Sequence, residues 1–275
     1  MKNQTVLTLT FGKSGTFLIN RIIEEIQKQN LAFNNFYRRS GINQLIKCFC
    51  KDYIHGDFMH EWQQIEYVKN CFQMVIPHPQ HQFFNLDINF LLKNTSLITS
   101  HTNPSIFMND NSYNFDSIKK IYVYRDIRDV IVSWMYFTIK PELLLRWPEY
   151  KHKNIDSLLS DYDLIAKQVE KWVEHLNSGL SFEDKILIIK FENLVKKKSV
   201  YVEKINNYLG TSSDIQRILN DTSRETMRKE SESHIRDAKT KKRWQDIFNT
   251  RHKNIIKDIA GKLLIQQGYT KDNNW

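Results

Sequence analysis

Four groups of residues in this sequence carry side chains suited to holding an anion or moving a proton. Gly12-Lys13-Ser14-Gly15-Thr16 has two glycines, a cation and two hydroxyls between an apolar run and a helical run. Successive backbone N–H groups leading into a helix make an anion cradle, which the helix dipole reinforces. The bland alternative is an ordinary strand-to-helix turn capped by Ser or Thr. His101, in ITSHTNP, has a ring that can accept a proton near neutral pH. Arg125 precedes a second apolar segment, with Ser133 eight positions on. Its guanidinium can fork onto a phosphate, or pair with a nearby carboxylate such as Asp129. Phe191, after KILIIK, offers a ring. A cluster of cations, Arg236, Lys239, Lys241, Lys242 and Arg243, precedes Trp244 and Phe248. It reads either as a solvated face or as a loop that closes over an anion.

The elements that must position these groups follow from the apolar pattern. Val6–Phe11, Ser96–Ser100, Lys120–Arg125 and Lys185–Phe191 read as short strands. Helices are predicted over Thr16–Lys28, about Arg128–Phe137, and Leu158–Leu176, with others near 196–209, 212–220 and 251–267. Residues 31–95 show weak periodicity and read as short helices and loops. Strands alternating with helices predict a single α/β domain over 1–275 with a central parallel sheet flanked by helices. In such sheets ligands bind beyond the carboxyl ends of the strands. The loop, His101, Arg125 and Phe191 each follow one of the four strands, so all four should crowd one edge.

Composition sets outer bounds. Hydrophobic residues make up 41% of the 275, enough for a sizeable core, and eight glycines and five prolines argue against a long linker. A formal charge of +9 suits an anionic partner. No apolar run is long enough to span a bilayer. Three cysteines, Cys48, Cys50 and Cys71, with no secretory leader pattern, predict a reducing, cytoplasmic setting. No set of residues stands at metal-ligand spacing, so no metal is expected.

The residues together resemble the sulfotransferases that use 3′-phosphoadenosine 5′-phosphosulfate (PAPS) as donor. The family's Pro-Lys-Ser-Gly-Thr loop stands here as Gly12–Thr16. Its Arg-to-Ser signature stands as Arg125…Ser133, with Tyr122 and Phe137 in place. Its Thr-His-Leu-Pro stands as Ser100-His101-Thr102-Asn103-Pro104, and its Tyr-Glu-Asp-Leu as Phe191-Glu192-Asn193-Leu194. The resemblance spans residues 6 to about 266. It implies a P-loop-like nucleotide site for PAPS and its product PAP. Lys13, Ser14, Gly15, Thr16 and Phe17 would hold the 5′-phosphosulfate end, and Arg125 and Ser133 the 3′-phosphate. Phe191, Thr222 and Arg236 would also contact the nucleotide. His101 would be the general base, and Lys13 would stabilise charge on the leaving oxygen. The expected partners are a nucleotide, not a nucleic acid, and a small-molecule, lipid or carbohydrate acceptor. Residues 31–95 and 138–156 are expected to build the acceptor pocket.

The chain departs from the pattern in several places. Gly12 replaces Pro, Leu18 replaces a Trp that stacks on adenine, and Thr99 replaces a Lys before the His. Phe191 lacks the Tyr hydroxyl. Arg236 is displaced by one residue relative to Trp244, and Arg224 follows Thr222-Ser223 in place of Phe. Gln245, Asn249, Thr250 and Asn254 occupy the places of the family's dimer motif, so its usual dimer is not expected. Two other function classes fit the residues less well. A P-loop kinase or NTPase would place its glycines before the lysine and needs a strand ending in a magnesium-binding Asp. A non-catalytic nucleotide- or polyanion-binding protein would keep the loop without the base.

Overall fold

The structure, a computed structural model, describes residues 5–30, 33–34, 36, 63–76, 82–85, 87–141, 144, 148–230, 235 and 243–275. The four strands expected from apolar runs are present as Val6–Thr10 (β1), Leu97–Ser100 (β5), Lys119–Tyr124 (β6) and Leu187–Lys190 (β7). They lie side by side as β5-β1-β6-β7, all parallel. Their residues alternate between two cores. Leu7, Leu9, Tyr122 and Tyr124 face one, while Val6, Ile121 and Val123 face the other. Burial on both faces is why these strands read as nearly continuous apolar runs.

Helices cover each face. Thr16–Asn30 (α1) buries Ile19, Ile22, Ile23 and Ile26 on one side, with Lys198–Leu209 (α8) and Ile215–Asp221 (α9). On the other side lie Ile127–Thr138 (α4), Tyr162–Leu180 (α6) and Thr250–Gln266 (α12). The molecule is therefore a single α/β domain with a mostly parallel sheet.

Three expectations need correction. The stretch 31–95 is not only short helices and loops. Gln63–Val68 (β2), Cys71–Ile76 (β3) and Gln82–Phe84 (β4) add an antiparallel edge that joins β5 through β2. The β2–β3 turn is Lys69-Asn70, both with positive φ (51° and 63°). It does a two-residue hairpin's work without the glycine that would signal it. The single helix expected over Leu158–Leu176 is two, Ile155–Ser160 (α5) and α6. Asp161 interrupts it and caps α6 by accepting from Leu164 N at 3.1 Å. Phe191 begins another helix, Phe191–Lys196 (α7), and does not extend β7.

Candidate functional site

β1 ends at Thr10, and the next residues turn back so that Ser14 N donates to Phe11 O at 3.1 Å. Lys13 (φ 67°) and Gly15 (φ 103°) flank Ser14 in left-handed backbone conformations. Gly15 is glycine for a second reason. A Cβ there would stand 2.2 Å from a carbon of the Phe191 ring, so α7 closes directly onto the loop. Ser14 is fully buried, and its Oγ has no hydrogen-bond partner among the described residues. Lys13 Nζ lies 3.4 Å from the centroid of the Phe137 ring on α4.

Arg125 follows β6, its carbonyl held by Trp172 Nε1 at 3.0 Å. Its guanidinium reaches back to the loop. Nη1 donates to Lys13 O at 3.3 Å, and the guanidinium carbon sits 4.8 Å from the Phe191 ring centroid. Nη2 pairs with Asp129 at 3.6 Å, and Nε is buried without a partner. Arg125 is thus paired with Asp129, as one of the two sequence readings has it, while Nη1 reaches the loop. Arg128 goes elsewhere. Asp126 caps α4 and binds Arg128 through Nε (2.9 Å) and Nη2 (2.7 Å), while Trp244 and Trp275 stack near it at 4.3 and 4.5 Å.

His101 follows β5 and is exposed. Its Nδ1 lies 2.8 Å from the Thr10 carbonyl oxygen. A carbonyl only accepts, so Nδ1 carries the hydrogen and Nε2 keeps the lone pair in the neutral ring. Thr10 Oγ1 is 3.1 Å from the same nitrogen and 2.7 Å from Thr16 Oγ1. The imidazole is thereby tied to both ends of the anion loop. Its backbone N–H donates to Glu66 Oε1 at 2.8 Å.

The remaining candidates are more dispersed. Ser133 is half-buried on α4, closer to two turns from the helix start than to one. Phe17 packs against the core beneath α1. Thr222 is fully buried, its hydroxyl donating to Ile218 O at 2.6 Å and its carbonyl accepting from Lys198. Burial lowers the Lys198 ammonium to about 8. Arg236, Lys239, Lys241, Lys242, Cys48 and Cys50 lie outside the described residues.

Three residues that sequence reasoning missed sit against these groups. Glu66 holds the His101 loop. His175 on α6 packs edge-on to Phe11 and bonds the Tyr122 hydroxyl at 3.1 Å. Burial, then the neighbouring His101 charge, lowers its pKa to about 3. Glu192 accepts from Asp126 N and from the Tyr269 hydroxyl, each at 3.1 Å, and burial pushes its carboxyl up. Only Glu192 falls in a quoted motif; the other two carry no local pattern.

A strand–loop–helix turn, an arginine after β6 and a histidine after β5 now stand at the carboxyl ends of neighbouring strands. The sulfotransferase domain model matches residues 3–263. The chain belongs to the sulfotransferase domain family. Curated members include the 3-beta-hydroxysteroid sulfotransferase of Cavia porcellus, 28% identical over 176 residues, or 63% of this chain. Sulfotransferase 2A1 of Rattus norvegicus is 27% identical over 73% of it. The chain spans 56% and 66% of their respective lengths. Among solved structures, a mouse sulfotransferase complexed with PAP shares the fold with a TM-score of 0.58 at 13% identity, covering 96% of this chain and 86% of that one. Retinol dehydratase, in complex with androsterone and inactive cofactor PAP, gives 0.54 at 16% identity, covering 96% and 81%. No helix among the described residues is long and apolar enough to cross a membrane, and none of their His, Cys, Asp and Glu groups form a metal cluster.

Proposed function

We propose that this protein transfers a sulfuryl group from PAPS to a hydroxyl or amine acceptor, with His101 as general base and no metal. The observation that carries the reading is the His101 ring. Its Nδ1–H is anchored on Thr10 O, two residues before the anion loop, which leaves Nε2 to take a proton beside the phosphate cradle. The cradle fits the donor. Ser14 Oγ, within the loop, and Arg125 Nε, beside it, are buried polar groups without a partner among the described residues, which a bound anion would satisfy.

Lys13, Ser14, Gly15 and Thr16 would hold the 5′-phosphosulfate, and Arg125 and Ser133 the 3′-phosphate. Phe17, Phe191, Thr222 and Arg236 would flank the nucleotide. PAPS supplies the sulfuryl group and a phosphate that leaves readily. His101 Nε2 removes the acceptor's proton as the acceptor oxygen or nitrogen closes on sulfur. Lys13 Nζ, which lies over the Phe137 ring, would stabilise charge growing on the leaving oxygen. In-line geometry and charge stabilisation carry such transfers. The names of the relatives favour a small apolar hydroxyl acceptor over a carbohydrate. The odd cysteine count and unbridged Cys71 fit the cytoplasm.

His101→Ala tests this directly. PAP affinity should hold, and turnover should fall by about 10²–10⁴, as for a lost general base. Unchanged turnover on a genuine acceptor would remove His101 from the chemistry. Melting temperature provides the donor test. PAP should raise it more than ATP does, because ATP has no 3′-phosphate for Arg125.

A further inference from the structure

We propose that Glu66 is a positioning residue for His101. Its carboxylate fixes the main chain that carries the proposed base, while Thr10 holds the ring, so the inference rests on the reading just given.

The reason lies in where two strands part. β2 pairs with β5 only at Gln63↔Ile98 and Gln64↔Thr99. Beyond Thr99 this pairing stops, β5 ends at Ser100 and the chain turns into the His101 loop, whose donors have no place in the ladder with β2. Glu66, two residues further along β2, fills the gap with its side chain. Oε1 accepts from His101 N at 2.8 Å and from Gln64 Nε2 at 2.9 Å. Oε2 accepts from Thr102 Oγ1 at 2.7 Å and Ser100 Oγ at 3.1 Å. The receiving groups are locked in turn. Ser100 Oγ accepts from Thr102 N at 3.1 Å, and Thr102 Oγ1 from Tyr67 N at 2.8 Å.

One carboxylate therefore gathers donors from three consecutive residues, 100, 101 and 102. An ionised carboxylate suits this because it only accepts, with about four lone-pair directions. A glutamine of the same length would turn an NH₂ group toward two donors. Because both oxygens are filled, Glu66 is not the base itself. It holds the main chain of His101 from the β2 side, while Thr10 O holds Nδ1–H from the β1 side. Two anchors on separate strands fix the direction of Nε2, and a displacement of about 1 Å at a catalytic group can cost about 10²-fold in rate.

The experiment compares E66Q, H101A and the double variant in the full-length protein, using labelled PAPS with androsterone as the probe acceptor. A second arm needs no acceptor: long-range ¹H–¹⁵N spectra of histidine-labelled protein, with the His101 signals assigned by their loss in H101A. The expected results are a single Nδ1–H tautomer for His101 in the unsubstituted protein and a mixture in E66Q. PAP affinity should be retained, and turnover should drop about 10–100-fold. In the H101A background E66Q should cost nothing further, because a residue acting through another is not additive with it. S100A and T102V, which each remove one donor and are gentler on folding, should shift the same signals by less. Unaltered His101 signals in E66Q overturn the proposal, and so does an equal loss from E66Q in both backgrounds, which would mark a general structural role. If H101A is slow and E66Q is normal, Glu66 alone is misassigned. If H101A is as fast as the unsubstituted protein, the base reading fails and takes this one with it.

Discussion

Arg125 and Lys13 both touch the loop after β1, yet truncating them should have different consequences. Arg125 is proposed to hold the 3′-phosphate, which does not change during the reaction. An interaction equal in ground and transition states affects binding, and one that strengthens affects rate. Arg125→Ala should weaken PAP by about 1.5–3 kcal/mol, the scale of a charge-assisted contact. Adenosine 5′-phosphosulfate, lacking that phosphate, should bind nearly as before. If both nucleotides weaken alike, Arg125 does not hold the 3′-phosphate. Lys13→Ala should instead reduce the rate of the bound complex more than PAP affinity, read by single-turnover kinetics. At this scale the loop, His101, Arg125 and Phe191 were legible, because each follows a strand and carries distinctive chemistry. Glu66 and His175 were not. Glu66 becomes visible only when β2 is known to stop pairing with β5 beside the histidine, and His175 only when α6 is laid across β6.

Two elements meet closely where α6 crosses β6. A Cβ on Gly179 would lie 2.2 Å from a Tyr122 ring carbon. Tyr122 is itself 1% exposed and cannot swing away. Gly179→Ala should therefore destabilise by about 1–3 kcal/mol, the cost of overpacking a filled core, as read from urea midpoints. A midpoint matching that of the unsubstituted protein would show that α6 can lift. Asp161→Ala, at the other end of the same helix, removes a cap and should cost about 0.5–2 kcal/mol. That cap also explains a misread boundary. The apolar stripe runs on through Leu158, Tyr162 and Ile165, so periodicity alone sees one helix. The central strands were readable because both faces are buried. β2 mixes Gln, Glu and Tyr on a half-covered face, and the turn after it is Lys-Asn, so neither strand nor hairpin announced itself.

Across the whole molecule, the clearest acid-sensitive group is His175. Its ordinary pKa is 6.5, and burial, with His101 nearby, lowers it to about 3. Between those values the unfolded chain binds a proton that the native chain refuses. Stability is thus intact above 6.5 and falls as pH drops toward 3. One unit below 6.5, at pH 5.5, this single ring should remove about 1.4 kcal/mol. His175→Gln loses the ring contact with the Tyr122 hydroxyl, though not the main-chain one, and should be less stable at every pH. Its loss between pH 7.5 and 5.5 should nonetheless be smaller by about that amount in urea unfolding. Parallel curves for the two proteins would show that His175 does not govern the acid limb.

The central place of β1 also has a consequence for how the chain is made. Val6 sits opposite Leu97 on one side and Lys119 on the other. Once β1 has left the ribosome, roughly ninety more residues must follow before either neighbour exists. At about 5–20 residues per second that is a wait of roughly 5–20 s for a strand with apolar side chains on both faces. The anion loop at its end has to wait longer still for Arg125 and Phe191. A nucleotide therefore cannot rescue the nascent chain early. During translation α1 can shelter only the Val6 face of VLTLT, so whatever shelters Leu7 and Leu9 has to be something other than this protein's own fold.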